Sequence, residues 1–142
     1  MYMGLVVKRL VLVLLLLCSV TLLAGESLDA ATKRLSTVDV FAFGGVGYAG
    51  STSKGEIDFK IVLSQSPVDA LDTYEKLYAI GNAQGKAYAL SGMKKLNPAR
   101  FKELLTSSGS ATDQVKVMRG CIVSRESLRD VARQIDHHKF QF

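Results

Sequence analysis

The feature that most constrains this chain is an uncharged apolar run at its N-terminus, over residues 10–25. The basic pair Lys8–Arg9 precedes the run, which ends in two small residues. A basic flank, an apolar centre and small residues at the end are the three parts of a secretory signal peptide. The sequence therefore predicts a signal peptide over residues 1–25 and a single exported domain over residues 26–142, placed in the periplasm or secreted.

Two other outcomes for this run differ in how well they fit. The apolar run is shorter than the roughly 20 residues that a spanning helix needs. Leu22 nevertheless occupies a position where cleavage favours a small residue, so an uncleaved N-terminal inner-membrane anchor stays open. Lipidation of Cys18 is disfavoured, because Leu17 precedes it where a small residue is expected.

Removal of the signal peptide leaves Cys121 as the one cysteine of the domain. A single cysteine cannot form an internal disulfide, so the fold must depend on its hydrophobic core. The apolar neighbours of Cys121 favour a buried thiol, with a reactive thiol or an intermolecular bridge as the alternative. The net charge of +5 is spread along the chain. A concentrated basic stripe with interleaved aromatics is missing from the sequence, which disfavours nucleic acid as a partner.

Helix-start signals recur along the predicted domain. A serine or asparagine stands where a side chain can cap a helix, twice with proline at the first helical position. The short connection at Gly81–Asn82 predicts that two of the helices form an antiparallel hairpin. The predicted helices run from Ser53 to about Ser64, from Ser66 to Ile80, from Ala83 to Leu96, from Asn97 onwards and from Ser124 onwards. The expected fold class is mainly α, a single helical domain with a small β element.

The β element is predicted from alternating and β-branched residues. Residues 38–43 read as one short strand. Residues 115–118 and 121–123 read as two more, joined around Arg119–Gly120. A hairpin or one continuous strand with a bulge would both fit this pattern.

The glycine-rich segment after the first predicted strand contains the spacing G-x-G-x-x-G, at Gly45, Gly47 and Gly50. In a dinucleotide site such glycines let the backbone approach a pyrophosphate at a helix N-terminus. Here the helix cap at Ser53 lies three residues past the last glycine, and helices follow instead of a second strand. The segment is therefore interpreted as a turn, with a small-ligand site near Cys121 as the alternative.

The remaining polar residues predict no catalytic group, cofactor or metal. His137 and His138 are adjacent, so on a helix they point in different directions and cannot share a metal ion. Tyr74, Tyr78 and Tyr88 have helical spacing, which is typical of core residues. If the domain exposes these tyrosines, they are the predicted interaction surface.

Four segments resemble small exported bacterial proteins as a group. They are FAFGGVGYAG at residues 41–50, TSKGE at 52–56, KAYALSG at 86–92 and GCIV at 120–123. The resemblance implies a shared fold and carries no activity with it. It also suggests that the glycine loop and the Gly-Cys-Ile-Val segment belong to one design and meet in space.

The expected function is that of a non-catalytic bacterial envelope protein, acting through an envelope or extracellular protein partner. Membrane contact is expected only through an uncleaved signal. The alternative is a small-ligand or thiol-dependent activity, with Cys121 near the Gly44–Gly50 loop.

Overall fold

The structure, a computed structural model, describes residues 28–107 and 113–142. The helices are 28–36 (α1), Lys54–Leu63 (α2), Pro67–Ile80 (α3), Ala83–Leu96 (α4), Pro98–Ser107 (α5) and Leu128–Asp136 (α6). The strands are Gly45–Val46 (β1), Ser51–Thr52 (β2), Gln114–Arg119 (β3) and Ile122–Ser127 (β4). The predicted signal peptide, residues 1–25, lies outside the described residues.

The prediction of a mainly helical fold with a small β element is confirmed. The strands form two separate antiparallel sheets, β1 with β2 and β3 with β4. Ala31–Phe142 group as one compact unit. Within the described ranges, no helix is both long enough and apolar enough to cross a membrane.

The predicted starts of α2 to α5 are confirmed. The side chains of Ser53, Ser66 and Asn82 each accept a hydrogen bond from the amide three residues further on. Pro67 and Pro98 stand at the first helical position of α3 and α5, where a missing N–H costs nothing. Local capping chemistry therefore sets most of the helix boundaries.

The start predicted for the last helix is wrong by three residues. The cap of α6 is Ser127, which accepts from the amide of Asp130 at 3.1 Å. Ser124 lies in β4 and donates to the Glu126 carboxylate at 2.8 Å. The pairing of β4 with β3 continues through Ser127, so the ladder holds residues 124–127 extended. The apolar face predicted for this helix is buried, and it consists of Leu128, Val131, Ala132 and Ile135.

The strand predicted over residues 38–43 is reduced to a single bridge at Phe41. The Phe41 N–H donates to Lys116 O at 2.8 Å, and Phe41 O accepts from the Met118 N–H at 2.9 Å. Backbone carbonyls earlier in the segment accept from amide side chains at the start of α4. Those bonds take the place of a strand ladder, so no continuous strand forms.

Residues 114–127 form a β-hairpin with a two-residue turn, and the alternative of one bulged strand is wrong. Arg119 pairs with Ile122, leaving Gly120 and Cys121 as the turn. Gly120 has a φ of +57°, a left-handed conformation that favours glycine.

Helix α4 is the centre of the core. It packs against α2, α3, α5, α6 and β3, and its residues from Ala87 to Met93 are all buried. A Cβ at Gly92 would lie 2.3 Å from the ring of Tyr74, so glycine allows α3 to approach closely. Aromatic rings gather beside α4, with neighbouring centroids 4.9–6.2 Å apart, from Phe41, Phe43, Phe59, Tyr74 and Tyr88.

A polar network fastens the β3–β4 hairpin to α6. Arg119 donates to Glu126 at 2.6 Å, and Gln134 of α6 donates to the other carboxylate oxygen at 2.6 Å. The hydrogen bond from Arg119 is the largest cause that lowers the pKa of Glu126, from 4.5 to about 2, with further help from Gln134 and Ser124. The ionised form of Glu126 is therefore the form that the fold stabilises.

This network predicts a defined acid sensitivity. Because the folded pKa of Glu126 lies below its unfolded value, its stabilisation is complete above pH 4.5 and is lost as the pH falls towards 2. We expect the difference in unfolding free energy between the wild type and Glu126→Gln to shrink across that window. Urea denaturation from about pH 6 down to about pH 2 measures this difference. A difference that stays constant over the window would contradict the assignment.

Candidate functional site

The glycine segment forms a small β-hairpin. It is therefore a chain-reversing turn and does not have the form of a dinucleotide-binding loop. Gly45 pairs with Thr52, and the chain reverses through Gly47 and Gly50, whose φ angles are +70° and +61°. A Cβ on Gly45 would lie 3.1 Å from the backbone oxygen of Gly50. The three glycines of the G-x-G-x-x-G pattern therefore serve the reversal, and α2 begins only at Lys54.

Only one of the two hydrogen bonds of the capping box forms at the start of α2. Ser53 Oγ accepts from the Glu56 N–H at 3.0 Å, as the pattern predicts. The Glu56 carboxylate does not reach back to Ser53. It accepts instead from the Gly44 N–H at 2.8 Å and pairs with Lys60 at 2.7 Å. Glu56 is buried, so it anchors the first residue of the glycine hairpin to α2.

The hydroxyl of Tyr88 fixes the chain just before the glycine hairpin. It donates to Ala42 O at 2.9 Å and accepts from the Ala42 N–H at 3.0 Å. Ser53 Oγ also donates to Ala42 O, at 3.0 Å. Burial raises the pKa of Tyr88, so the phenol stays protonated and able to donate. A Cβ at Gly55 would lie 2.4 Å from this hydroxyl, which explains the glycine in the first turn of α2.

The glycine hairpin meets the turn between β3 and β4. The Gly47 N–H donates to Gly120 O at 3.0 Å, and Val46 forms a parallel bridge with Gly120. The segments that contain Gly47 and Cys121 therefore lie side by side, although they are more than seventy positions apart in the printed sequence.

The thiol of Cys121 is exposed, so the prediction of a buried thiol is wrong. The apolar neighbours that favoured burial do not enclose it, because Cys121 is the second residue of a tight turn. Turn residues at the end of a hairpin project from the fold and have few neighbours to cover them.

Large apolar side chains are exposed within three residues of this junction. Tyr48 follows Gly47 and is fully exposed, while Ile122 and Val123 follow Cys121 and are 74% and 49% exposed. We call this end of the two joined hairpins, which carries Tyr48, Cys121, Ile122 and Val123, the loop–turn tip; Ile122 and Val123 are consecutive strand residues and lie on opposite faces of it. The only signal for Tyr48 in the sequence is its place inside a glycine-rich turn, where neighbours cannot cover a ring.

The tyrosines predicted as a possible interaction surface lie elsewhere. Tyr74 is fully buried, and its hydroxyl donates to Phe59 O at 2.9 Å. Burial raises the pKa of Tyr74, and Tyr88 is buried in the same core. Tyr78 is half-buried on α3. Tyr74 and Tyr88 therefore present no surface to a partner in this structure.

A cavity of about 450 Å³ lies beside the glycine hairpin. Arg34 and Asp58 form a forked ion pair at its wall, with nitrogen–oxygen distances of 2.6 and 3.0 Å. Lys54 contributes an exposed ammonium group. The apolar lining of the cavity includes Val38, Val40 and Val46.

The two histidines lie at the end of α6, where His137 is the C-terminal cap. In residues 28–107 and 113–142, no three metal-ligating side chains come together in a way that could hold an ion.

Comparisons with models of protein families, with curated proteins and with solved structures find no match to this chain. The resemblance to small exported bacterial proteins therefore stays a prediction. The functional argument depends on the geometry of the site.

Proposed function

We propose that this chain is an exported bacterial envelope protein whose folded part binds another protein through the loop–turn tip. The N-terminal signal pattern supports export to the periplasm or beyond the cell, with an inner-membrane anchor as the alternative. The observation that carries the binding proposal is the exposure of Tyr48, Ile122 and Val123 on two segments that the Gly47–Gly120 hydrogen bond joins.

The position of these side chains supports binding more strongly than their exposure alone. Single exposed apolar residues are common on soluble proteins and need no explanation. Here they lie in or directly beside two turns that the Gly47–Gly120 hydrogen bond joins, and the Gly44–Glu56 hydrogen bond anchors the glycine hairpin to α2. A surface whose backbone is already fixed loses less conformational entropy on binding than a flexible loop does. Tyrosine is among the residue types that most often dominate binding energy at protein interfaces.

Site-specific photo-crosslinking tests this proposal. Replacing Tyr48 or Ile122 with p-benzoylphenylalanine, in cells that export the protein, is expected to give an adduct with one and the same protein. The matched control is Ile80 at the end of α3, which is 70% exposed but lies away from the tip. Equal adducts from positions 48 and 80, or none from 48 and 122, would contradict the proposal.

A second candidate function is a small-ligand or thiol-dependent activity. Two observations favour it: the exposed Cys121 thiol and the cavity of about 450 Å³ lined by Val46, which bridges Gly120, the residue before Cys121. Catalytic thiols react faster than ordinary ones because their surroundings favour the thiolate. The rate at which the Cys121 thiol reacts with a thiol reagent therefore distinguishes the two functions.

The protein-binding proposal expects an ordinary exposed thiol at Cys121. Its reaction with a chromogenic disulfide reagent should proceed at the same rate, within about threefold, in the folded protein and in the guanidinium-unfolded chain. A folded-state rate at least about tenfold faster would favour the thiol-dependent function. A blocked thiol would contradict the exposure of the turn.

A further inference from the structure

The outer edge of β4 carries unpaired backbone groups. Lys116 O and the Met118 N–H bind Phe41, so they point away from β4. Arg125 lies opposite Lys116, and Val123 lies opposite Met118. Opposed residues of an antiparallel pair share this orientation, so the backbone groups of Val123 and Arg125 point away from β3. The described residues supply these groups with no hydrogen-bond partner, which makes β4 an open edge strand.

The solvent-facing side of the same hairpin is cationic. Val115 and Val117 are buried, so the alternation of the strand places Lys116 and its partner Arg125 on the outward face. Both cations are exposed, and neither has an acidic partner in the described ranges. Like charges directly opposite each other destabilise a sheet. No acid shares this face, whose strand residues are Gln114, Lys116, Met118, Val123, Arg125 and Ser127.

We propose that an extended acidic segment of a partner protein adds to the edge of β4 as a further strand. Its backbone pairs with Val123 and Arg125, and its carboxylates neutralise Lys116 and Arg125. This mode of recognition takes affinity from main-chain hydrogen bonds and specificity from alternate side chains. The inference depends on the proposed function and names the chemistry of the partner, because Val123 belongs to the loop–turn tip.

Charge and hydrogen bonding favour this occupant over two others. A second copy of β4 would bring another Lys116 and Arg125 to the same edge, and juxtaposed like charges oppose association. An anionic bilayer would satisfy the cations, but its apolar part offers no partners for edge N–H and C=O groups. An acidic strand satisfies both requirements.

Fluorescence anisotropy with a labelled octapeptide of alternating glutamate and valine tests the inference on the exported protein. The peptide is expected to bind, and a lysine–valine octapeptide is not. Methylating the backbone nitrogens of two adjacent central residues of the acidic peptide removes one ladder N–H in either strand direction, keeps every carboxylate, and should weaken binding by about tenfold or more. Lys116→Glu should weaken binding by at least about tenfold, because it removes one cation from the face that the peptide's carboxylates approach and adds a carboxylate that competes with them for Arg125.

Lys116→Glu also replaces a like-charge pair by an opposite-charge pair. Its thermal unfolding midpoint is therefore expected to equal or exceed that of the wild type, so that lost binding is not a sign of unfolding. The matched control is Lys33→Glu on α1, an exposed lysine away from the hairpin, which should leave peptide affinity unchanged.

Three results would overturn the inference: no binding of the acidic peptide, an equal loss in Lys33→Glu, or Lys116-dependent binding to phosphatidylglycerol vesicles without peptide binding. If the peptide fails while crosslinking from position 48 still captures one protein, strand addition falls and the proposed function stands. If both experiments fail, the proposed function falls as well.

Discussion

The hydrogen bonds of the Tyr88 hydroxyl to the backbone of Ala42 are the interaction on which the functional surface depends. They join the central helix α4 to a segment that forms no continuous strand and so has few ladder bonds of its own. A buried N–H or C=O without a partner costs about 1–3 kcal/mol. The phenol removes that cost at both groups of one residue, with Ser53 as a second donor to the carbonyl.

Beyond Ala42, hydrogen bonds fix the chain at two further points. Gly44 is held by the buried Glu56, and Gly47 is held by the carbonyl of Gly120. The hydrogen bond from Arg119 to Glu126 fixes the β3–β4 turn. A small domain with one cysteine among its described residues can therefore present exposed apolar side chains on turns that do not move freely. This arrangement supports a role in binding.

Local signals in the sequence were enough for most helices but not for the site. Ser53, Ser66 and Asn82 cap helices because the capping bond spans only three residues. Ser124 does not cap the last helix, because pairing with Val117 of the neighbouring strand holds it extended. Glu56 binds Gly44 instead of its own helix end, and Cys121 is exposed because it stands in a turn. The register of the β3–β4 hairpin decides the positions of Ser124 and Cys121, and the Gly44–Glu56 bond joins residues 12 positions apart; helix-capping patterns contain none of this information.

Native-state hydrogen exchange on Tyr88→Phe, with Tyr78→Phe as the matched control, tests the central claim most directly. Tyr78 is half-buried on α3, and its hydroxyl has no hydrogen-bond partner among the described residues. The account predicts that protection of the Gly44 and Gly47 amides falls at least about tenfold in Tyr88→Phe and stays unchanged in Tyr78→Phe. Equal protection of these two amides in both variants would contradict it.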